Sequence, residues 1–554
     1  MTLLNETWNG KNGKKTSMVN TNKLDNSSSY PTREAIEGWL IDKIADSLES
    51  KPNEIDVTKD FADYGLDSVE AINISGELEN YLKCRLSPTL LWDYQNIEAL
   101  AQHLANTPKN YSPSRDSNGL NVVSGLPELD FNNLQNSNGI SHNADTNRAS
   151  IPEEYYSFDR LPEYQKLQRE LKQVESLGNG NPFFVPQERV VNDTTVVNGR
   201  KLINFATYNY VGMCGDSTVN QEAQKAIALY GTSACASRLI AGEKPIHRKL
   251  EKAVADFIGV QDSIVMVGGH ATNVTTIGHL FGKDDLVLYD ALSHNSILQG
   301  CFTSGASLVA FPHNDFSTLA EILRDRRHRY KKVLIVIEGV YSTDGDIADL
   351  PAFVALKKKY KTFLMVDEAH SMGTIGDTGR GISEYFGINP TDVDIWMGTL
   401  SKSFASCGGY IAGSNALVEY LRYTAPGFVF SVGMSPPNAG ATLAAIEVLK
   451  SEPQRVTQLQ NNAKLFLTLA KEKELNTGMS KDSPVIPIIV GDSLKSIQLS
   501  QNMFKRGINV PFMIYPSVPQ NGARLRFFVT CNHTEEQIRL TVNILAEELA
   551  KLNC

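Results

Sequence analysis

Val366-Asp367-Glu368-Ala369-His370 ends a short apolar run with two carboxylates and an imidazole, and about 30 residues later Gly398-Thr399-Leu400-Ser401-Lys402 sets one lysine among small residues. The first string could be the second nucleotide motif of a helicase. That chemistry needs a G-x-x-x-x-G-K-[ST] loop to hold phosphates, and the chain has none. A desolvated lysine at a strand end can instead form a Schiff base with an aldehyde. Arg524 and Arg526, in Ala523-Arg524-Leu525-Arg526-Phe527, alternate on an expected strand and so face one side. Far upstream, Gly65-Leu66-Asp67-Ser68 precedes an apolar helical pattern in which Val69, Ile72 and Leu78 point inward. Asp67 or Ser68 could simply cap that helix.

The elements that must position these residues follow from periodicity. Ser263–Val267, Val333–Ile337 and Thr362–Val366 are continuous apolar runs, as strands buried on both faces must be. They alternate with helical patterns, which gives an α/β fold. After about residue 440 a helix leads to runs at Pro484–Val490 and Leu525–Thr530 and a closing helix at Thr534–Leu552, the mark of a smaller α+β lobe. Between 31 and 107 the pattern is helical, with Ile36, Trp39, Leu40, Ile44 and Leu48 on one face. The expected divisions are a disordered leader (1–30), a small all-α domain (31–107), an Asn/Ser-rich linker (108–150), a large domain with its N-terminal segment (151–440) and a small C-terminal domain (441–554). The linker holds 16 Asn or Ser in 43 residues, a composition that stays flexible.

Charge excludes some partners. The 554 residues carry a net charge of -9, which opposes binding to nucleic acid or an anionic membrane. All of that imbalance lies in residues 31–107, with 15 acidic and 6 basic residues, so the remainder is neutral. No apolar stretch approaches the length of a membrane span, and the seven cysteines form no C-x-x-C pair. We expect a cytoplasmic location, reduced thiols and no metal site.

Further strings sharpen the picture: Asn209-Tyr210-Val211-Gly212, Gly268-Gly269-His270-Ala271-Thr272-Asn273, Asp290-Ala291-Leu292-Ser293-His294, Ser342 in Glu338–Gly345, and Phe428-Val429-Phe430-Ser431. With the two lead motifs they resemble fold type I pyridoxal-phosphate enzymes and, more narrowly, the α-oxoamine synthases. That family includes 8-amino-7-oxononanoate synthase, 5-aminolevulinate synthase, 2-amino-3-ketobutyrate CoA ligase and serine palmitoyltransferase. The resemblance covers about residues 200 to 550. It implies a large, mainly parallel sheet domain with a small C-terminal domain, and pyridoxal 5'-phosphate bound to Lys402. Asp367 would pair with the pyridine nitrogen, His294 would stack on the ring, Ser342 would line it and His370 would bond its 3'-oxygen. Gly269 and His270 would offer amides at a helix N-terminus to the phosphate, which Thr399 would also reach. Ser431 would approach the phosphate from the second subunit of a homodimer. Asn209 would stand at the entrance, and Arg526, with Arg524 as fallback, would hold the amino acid carboxylate. The family often has serine where Gly268 stands. The segment Gly231–Gly242 has fewer glycines than aminolevulinate synthases show, which counts against succinyl-CoA as donor.

The acidic unit of about 75 residues with its G-L-D-S motif resembles an acyl carrier protein. In that family the matching serine, here Ser68, carries 4'-phosphopantetheine, which implies a phosphopantetheinyl transferase and an acyl-loading enzyme as partners. The two resemblances together imply a decarboxylating Claisen condensation of glycine, alanine or serine with an acyl thioester. Lys402, His294, Asp367 and His370 would be its catalytic groups. The donor is expected on Ser68, with free acyl-CoA as the alternative; a non-catalytic regulatory subunit and a bare aminotransferase are the competing classes.

Overall fold

The computed structural model describes residues 31–48, 50–59, 61–64, 74, 77, 78, 81, 82, 94, 96–106, 151–176, 181–514, 517–519 and 521–553. Ser68, Val69, Ile72, and the leader and linker expected over 1–30 and 108–150 lie outside them. Contacts divide the chain into two units, Met1–Leu126 and Pro127–Cys554.

In the first unit the Thr32 hydroxyl accepts the Ala35 amide and starts helix Arg33–Ser47. Ile36, Leu40 and Ile44, four residues apart, form one buried face. They share a core with Phe61, Ile74, Leu78, Leu82 and, from helix Ile97–Asn106, Leu100, Ala101 and Leu104. Trp39 and Leu48 are only half-buried; Trp39 stacks on Tyr81 at 5.3 Å.

The second unit is built on strands β1 (Thr194–Val197), β2 (Arg200–Asn204), β3 (Asp262–Met266), β4 (Leu286–Asp290), β5 (Ser307–Phe311), β6 (Val333–Glu338), β7 (Phe363–Asp367), β8 (Ile395–Thr399), β9 (Gly409–Gly413), β10 (Val485–Gly491), β11 (Ile508–Asn509), β12 (Phe512–Met513) and β13 (Ala523–Phe528). Seven of them form the main sheet in the order β3-β9-β8-β7-β6-β4-β5. Neighbours from β8 to β5 are parallel, whereas β9 is antiparallel to both β8 and β3. Six strands therefore run one way. The central ones are buried along their length, and β6 is Val-Leu-Ile-Val-Ile-Glu, the β-branched composition that a doubly covered parallel strand needs.

That topology brings the loops after β3, β4, β6, β7 and β8 to one edge, where ligands of open α/β sheets bind. Register fixes the neighbours there: Glu338 pairs with Asp367, and Thr399 and Met266 both pair with Gly409.

The C-terminal lobe has sheet β10-β13-β12, helices Gln454–Glu472, Ser493–Lys505 and Glu535–Asn553, and its own core around Phe466, Ile488, Leu525 and Phe527. It also takes a piece from the start of the unit: hairpin β1-β2 joins it through parallel pairing of β2 with β11, and Phe205 is buried in its core. Division at residue 441 misses this, because hydropathy carries no signal that a two-residue strand will recruit a distant hairpin. Helix Pro436–Ser451 also spans that position and buries its apolar face in the main core. Among the described residues no helix is long and apolar enough to cross a membrane.

Candidate active site

At the carboxyl edge of the main sheet, one cavity of about 170 Å³ is lined by Gly269, His270, Asn273, His294, Ser296, Glu338, Ser342, Asp367, His370, Thr399, Ser401 and Lys402, among others. The strands deliver these groups at their last residues, as with Glu338, Asp367 and Thr399, or in the segments that follow, as with Gly269, His294, Ser342, His370 and Lys402. Helix Gly269–Leu280 follows β3, and its first amides face Thr399 at the end of β8. The approach is close enough that a Cβ on Gly269 would lie 2.7 Å from Thr399 Oγ1, and one on Gly409 would lie 2.9 Å from Gly269 Cα. Thr399 Oγ1 and Ser401 Oγ are 2.8 Å apart beside those amides, so two hydroxyls and a helix N-terminus form an anion cradle.

A chain of hydrogen bonds crosses the site. Asn273 Nδ2 donates to Asp367 Oδ2 and to Ser296 Oγ, both at 2.8 Å, and Ser296 Oγ lies 2.7 Å from His294 Nδ1. The Ser296 amide also points at Nδ1, which makes that nitrogen the acceptor and leaves the His294 proton on Nε2. Asp367 Oδ1 accepts the Ala369 amide at 2.9 Å, so the carboxylate is fixed from both sides. Glu338, its register neighbour, accepts the His294 amide at 2.5 Å; burial and the adjacent Asp367 raise its pKa well above the usual carboxylate range. One buried carboxyl keeps its proton while its neighbour faces the cavity.

Burial lowers Lys402 to about 8, against the upward pull of Asp367 and Glu338, and its Nζ lies 5.5 Å from the Tyr208 ring centre. Burial, Lys402 and Arg526 together hold His370 far below its ordinary pKa, so its ring is neutral. His370 Nδ1 is 2.8 Å from the buried Tyr210 hydroxyl, whose proton burial retains. Assigning that proton to the bond leaves His370 Nε2–H for the cavity.

The two arginines separate. Arg524 is buried and already paired with a carboxylate, with Nη1 at 2.6 Å from Asp344 and Nε donating to Gly522 O. Arg526 donates from Nη1 to Ser342 O at 2.9 Å, lies over the Phe528 ring at 4.6 Å, and among the described residues its buried Nε has no partner. Arg526 is therefore the arginine without a carboxylate among the described residues. Strand alternation could not tell them apart, because the difference comes from Asp344 in a distant loop.

The cavity thus gathers Gly269, His270, His294, Ser342, Asp367, His370, Thr399 and Lys402. Asn209 is not among them: its buried amide accepts the Cys214 N–H and donates to Val191 O, holding a turn, while its neighbour Tyr210 is the residue that meets His370. Ser431 is half-buried and lies in a separate crevice with Arg238, Met266 and Phe428. Sequence reasoning assigned no role to Asn273, Ser296, Glu338, Ser401 or Tyr210; all stand inside strings it had quoted except Ser296, which is two residues beyond His294. A larger cavity of about 700 Å³ opens at the opposite sheet edge beside Phe363, Ile395 and Gly413. Its Lys332, His279 and Asp394 are already paired with Asp285, Thr424 and Lys357.

The donor set at the carboxyl edge suits pyridoxal phosphate: a depressed lysine amine, a fixed carboxylate, an anion cradle, and two buried polar atoms without partners, Asn273 Oδ1 and Arg526 Nε. Among the described residues no cluster of three His, Cys, Asp or Glu could hold a metal ion.

The aminotransferase class I and II family matches residues 200–545, and the phosphopantetheine attachment site family matches residues 38–104. Serine palmitoyltransferase 3 of Caenorhabditis elegans is 39% identical over 353 residues, which cover 61% of this chain and 69% of that one. The 8-amino-7-oxononanoate synthase of Fervidobacterium nodosum is 38% identical over 346 residues, 62% of this chain and 87% of that one. Among solved structures, Sphingomonas wittichii serine palmitoyltransferase superimposes with a TM-score of 0.67 at 30% identity, covering 71% of this chain and 98% of that one. The 8-amino-7-oxononanoate synthase of Francisella tularensis gives 0.56 at 27% identity, with 64% and 99% covered. The chain belongs to the aminotransferase class I and II family. Within it, the chain is an α-oxoamine synthase, a pyridoxal-phosphate-dependent acyltransferase joined to a phosphopantetheine-bearing unit.

Proposed function

We propose that this synthase condenses glycine, alanine or serine with an acyl thioester carried on the phosphopantetheine of its own Ser68, releasing CO2 and leaving an α-aminoketone for a polyketide-like or secondary pathway. The observation that carries the reading is the presence in one chain of both family matches, 38–104 and 200–545. Covalent linkage raises the local concentration of a thioester far above that of a free donor.

Bound in the cavity, pyridoxal phosphate supplies an electron sink conjugated to the amino acid's Cα. Lys402 would hold the cofactor through Nζ, and the same amine, once free, would take the Cα proton. Its lowered pKa keeps the neutral amine accessible near neutral pH. Arg526 holds the substrate carboxylate, whereas Arg524 is already tied to Asp344. Asp367 keeps the pyridine nitrogen protonated, and the Asn273 bond keeps Asp367 aimed. His294 Nε2–H polarises the thioester carbonyl as Cα attacks it; the C–C bond forms, the C–S bond breaks, and the departing thiolate takes a proton from solvent. The carboxylate departs as CO2, and Lys402 returns the proton to Cα. In a cytoplasmic homodimer, Ser431 completes the phosphate site of the opposite subunit, which accounts for its distance from the cavity of its own chain. A phosphopantetheinyl transferase and an acyl-loading enzyme serve Ser68.

Ser68→Ala is the test. The variant should keep its visible cofactor absorption and its response to the amino acid while losing all product from carrier-loaded acyl groups. CO2 and an aminoketone, not a keto acid, are the products to measure. Wild-type turnover of the variant from acyl-CoA, with no acyl-protein detectable in the unaltered chain, would make CoA the donor.

A further inference from the structure

Two loops present residues to the cavity from separate strands. Beyond β4, the turn Ala291–Ser293 leads into His294; Asp290 Oδ1 accepts the Leu292 amide at 2.8 Å, and Asp290 O accepts that of Ser293 at 2.9 Å. Beyond β6, the loop Tyr341–Asp346 presents Ser342, whose carbonyl holds Arg526. The loop closes on itself through Tyr341 N to Asp346 O and Gly345 N to Tyr341 O.

His313, two residues beyond β5, joins them. Its Nδ1 is 2.8 Å from Asp290 Oδ1 and its Nε2 is 2.8 Å from Asp346 Oδ2. Asn314 repeats the connection, with its amide on Asp290 Oδ2 at 2.8 Å and Nδ2 on Asp346 Oδ2 at 2.9 Å. The His313 side chain is largely buried and stands edge-on to Tyr341 at 4.4 Å. A neutral imidazole has one N–H, and two carboxylate acceptors require two. Burial alone would lower the ring's pKa, but the bonds to Asp290 and Asp346 push it up to about 10.

We propose that His313 is a positioning residue: an imidazolium bonded to both loops that fixes the spacing between the turn presenting His294 and the loop that presents Ser342 and holds Arg526 through the Ser342 carbonyl. The neighbouring ties suit that role. Arg524–Asp344 and Ser483 Oγ to Gly345 O pin the Tyr341–Asp346 loop to the C-terminal lobe. On the main-sheet side, His313 and Asn314 connect it to the β4 turn. The inference rests on the assignment of Arg526 to the substrate carboxylate.

His313→Gln tests it, because glutamine offers its N–H donors on one atom only and turns a carbonyl oxygen toward the second carboxylate. In the cofactor-free protein, the amides of Leu292, Ser293, Tyr341 and Gly345 should exchange about tenfold faster or more, while those of β6 and β7 keep wild-type rates. In the loaded enzyme, KM for the amino acid should rise roughly 10-fold or more with a smaller change in kcat. Asp346→Asn keeps one acceptor for Nε2–H and should move both readouts less in the same direction; it also serves if His313→Gln folds poorly. Faster exchange across the whole unit, or unchanged exchange in the two loops, would overturn the brace. Arg526→Lys is the control for the underlying reading: a wild-type KM there would remove the carboxylate assignment, while the exchange data would still decide whether His313 braces the loops.

Discussion

The two units handle charge in opposite ways. Residues 31–107 carry the whole net charge of -9, and their described core is apolar, with Ile36, Leu40, Ile44, Phe61, Leu100 and Leu104 and no buried ionisable side chain among the described residues. The remainder of the chain is neutral in sum yet buries Glu338, Asp367, Glu368, His370, Arg524 and His533. A unit that bears a covalent arm needs a modifiable hydroxyl and a surface its partners recognise. A unit that moves protons needs burial, because desolvation is the largest of the causes that lower Lys402 to about 8 and hold His370 far below its ordinary pKa.

Lys402→Ala breaks the catalytic side of this comparison and should give the largest effect. Removal of the amine eliminates the covalent holding group and the Cα base together, so kcat should fall roughly 10³-fold or more with either acyl donor. Phosphopantetheinylation of Ser68, followed by intact mass, should proceed at the wild-type rate. Retained activity would sink the lysine assignment.

The sequence was most legible where one residue type does one job. Lys402, Asp367 and His370 sit in short strings whose composition alone narrows the chemistry, and the continuous apolar runs marked β3, β6 and β7 to within a residue or two. Roles defined by a distant partner were illegible. Asn273 matters because β3 and β7 bring its amide to Asp367 across 94 positions, and Tyr210 because a loop brings its hydroxyl to His370 across 160. The same limit hid the hairpin β1-β2 in the C-terminal lobe, since its partner β11 is two residues long.

The arginine pair sharpens the comparison within the catalytic unit. Arg526→Lys removes a planar fork with donors to spare and should raise KM for the amino acid about 10- to 100-fold, with the fold intact. Arg524→Lys instead weakens a buried pair with Asp344, so it should lower the melting temperature while KM moves less. If Arg524→Lys raised KM and Arg526→Lys did not, the strand would present its other arginine to substrate.

The smallest expected effect is a pH dependence that only the catalytic unit should show. His533 is buried and stacks on Phe205 at 4.1 Å; its Nδ1 accepts the Thr530 amide at 2.9 Å, and Nε2 lies 3.0 Å from Asn204 O. An amide can only donate to Nδ1, so the single proton sits on Nε2 and the ring is neutral. Burial accordingly lowers its pKa to about 4, from an ordinary 6.5. A folded-state value below the unfolded one means that the unfolded chain takes up the proton first as pH falls. The stabilisation is therefore complete above about pH 6.5 and is lost progressively between 6.5 and 4. By linkage the loss is about 1 kcal/mol at pH 5.5 and about 3 kcal/mol by pH 4. His533→Gln, which offers both a donor and an acceptor without titrating, should flatten the acid limb of the melting curve for the unit that contains β13. His533 lies outside the unit Met1–Leu126, so that unit's acid limb should be the same in both proteins. An unchanged acid limb in the variant would show that the loss arises elsewhere, with the buried carboxyls as the next groups to replace.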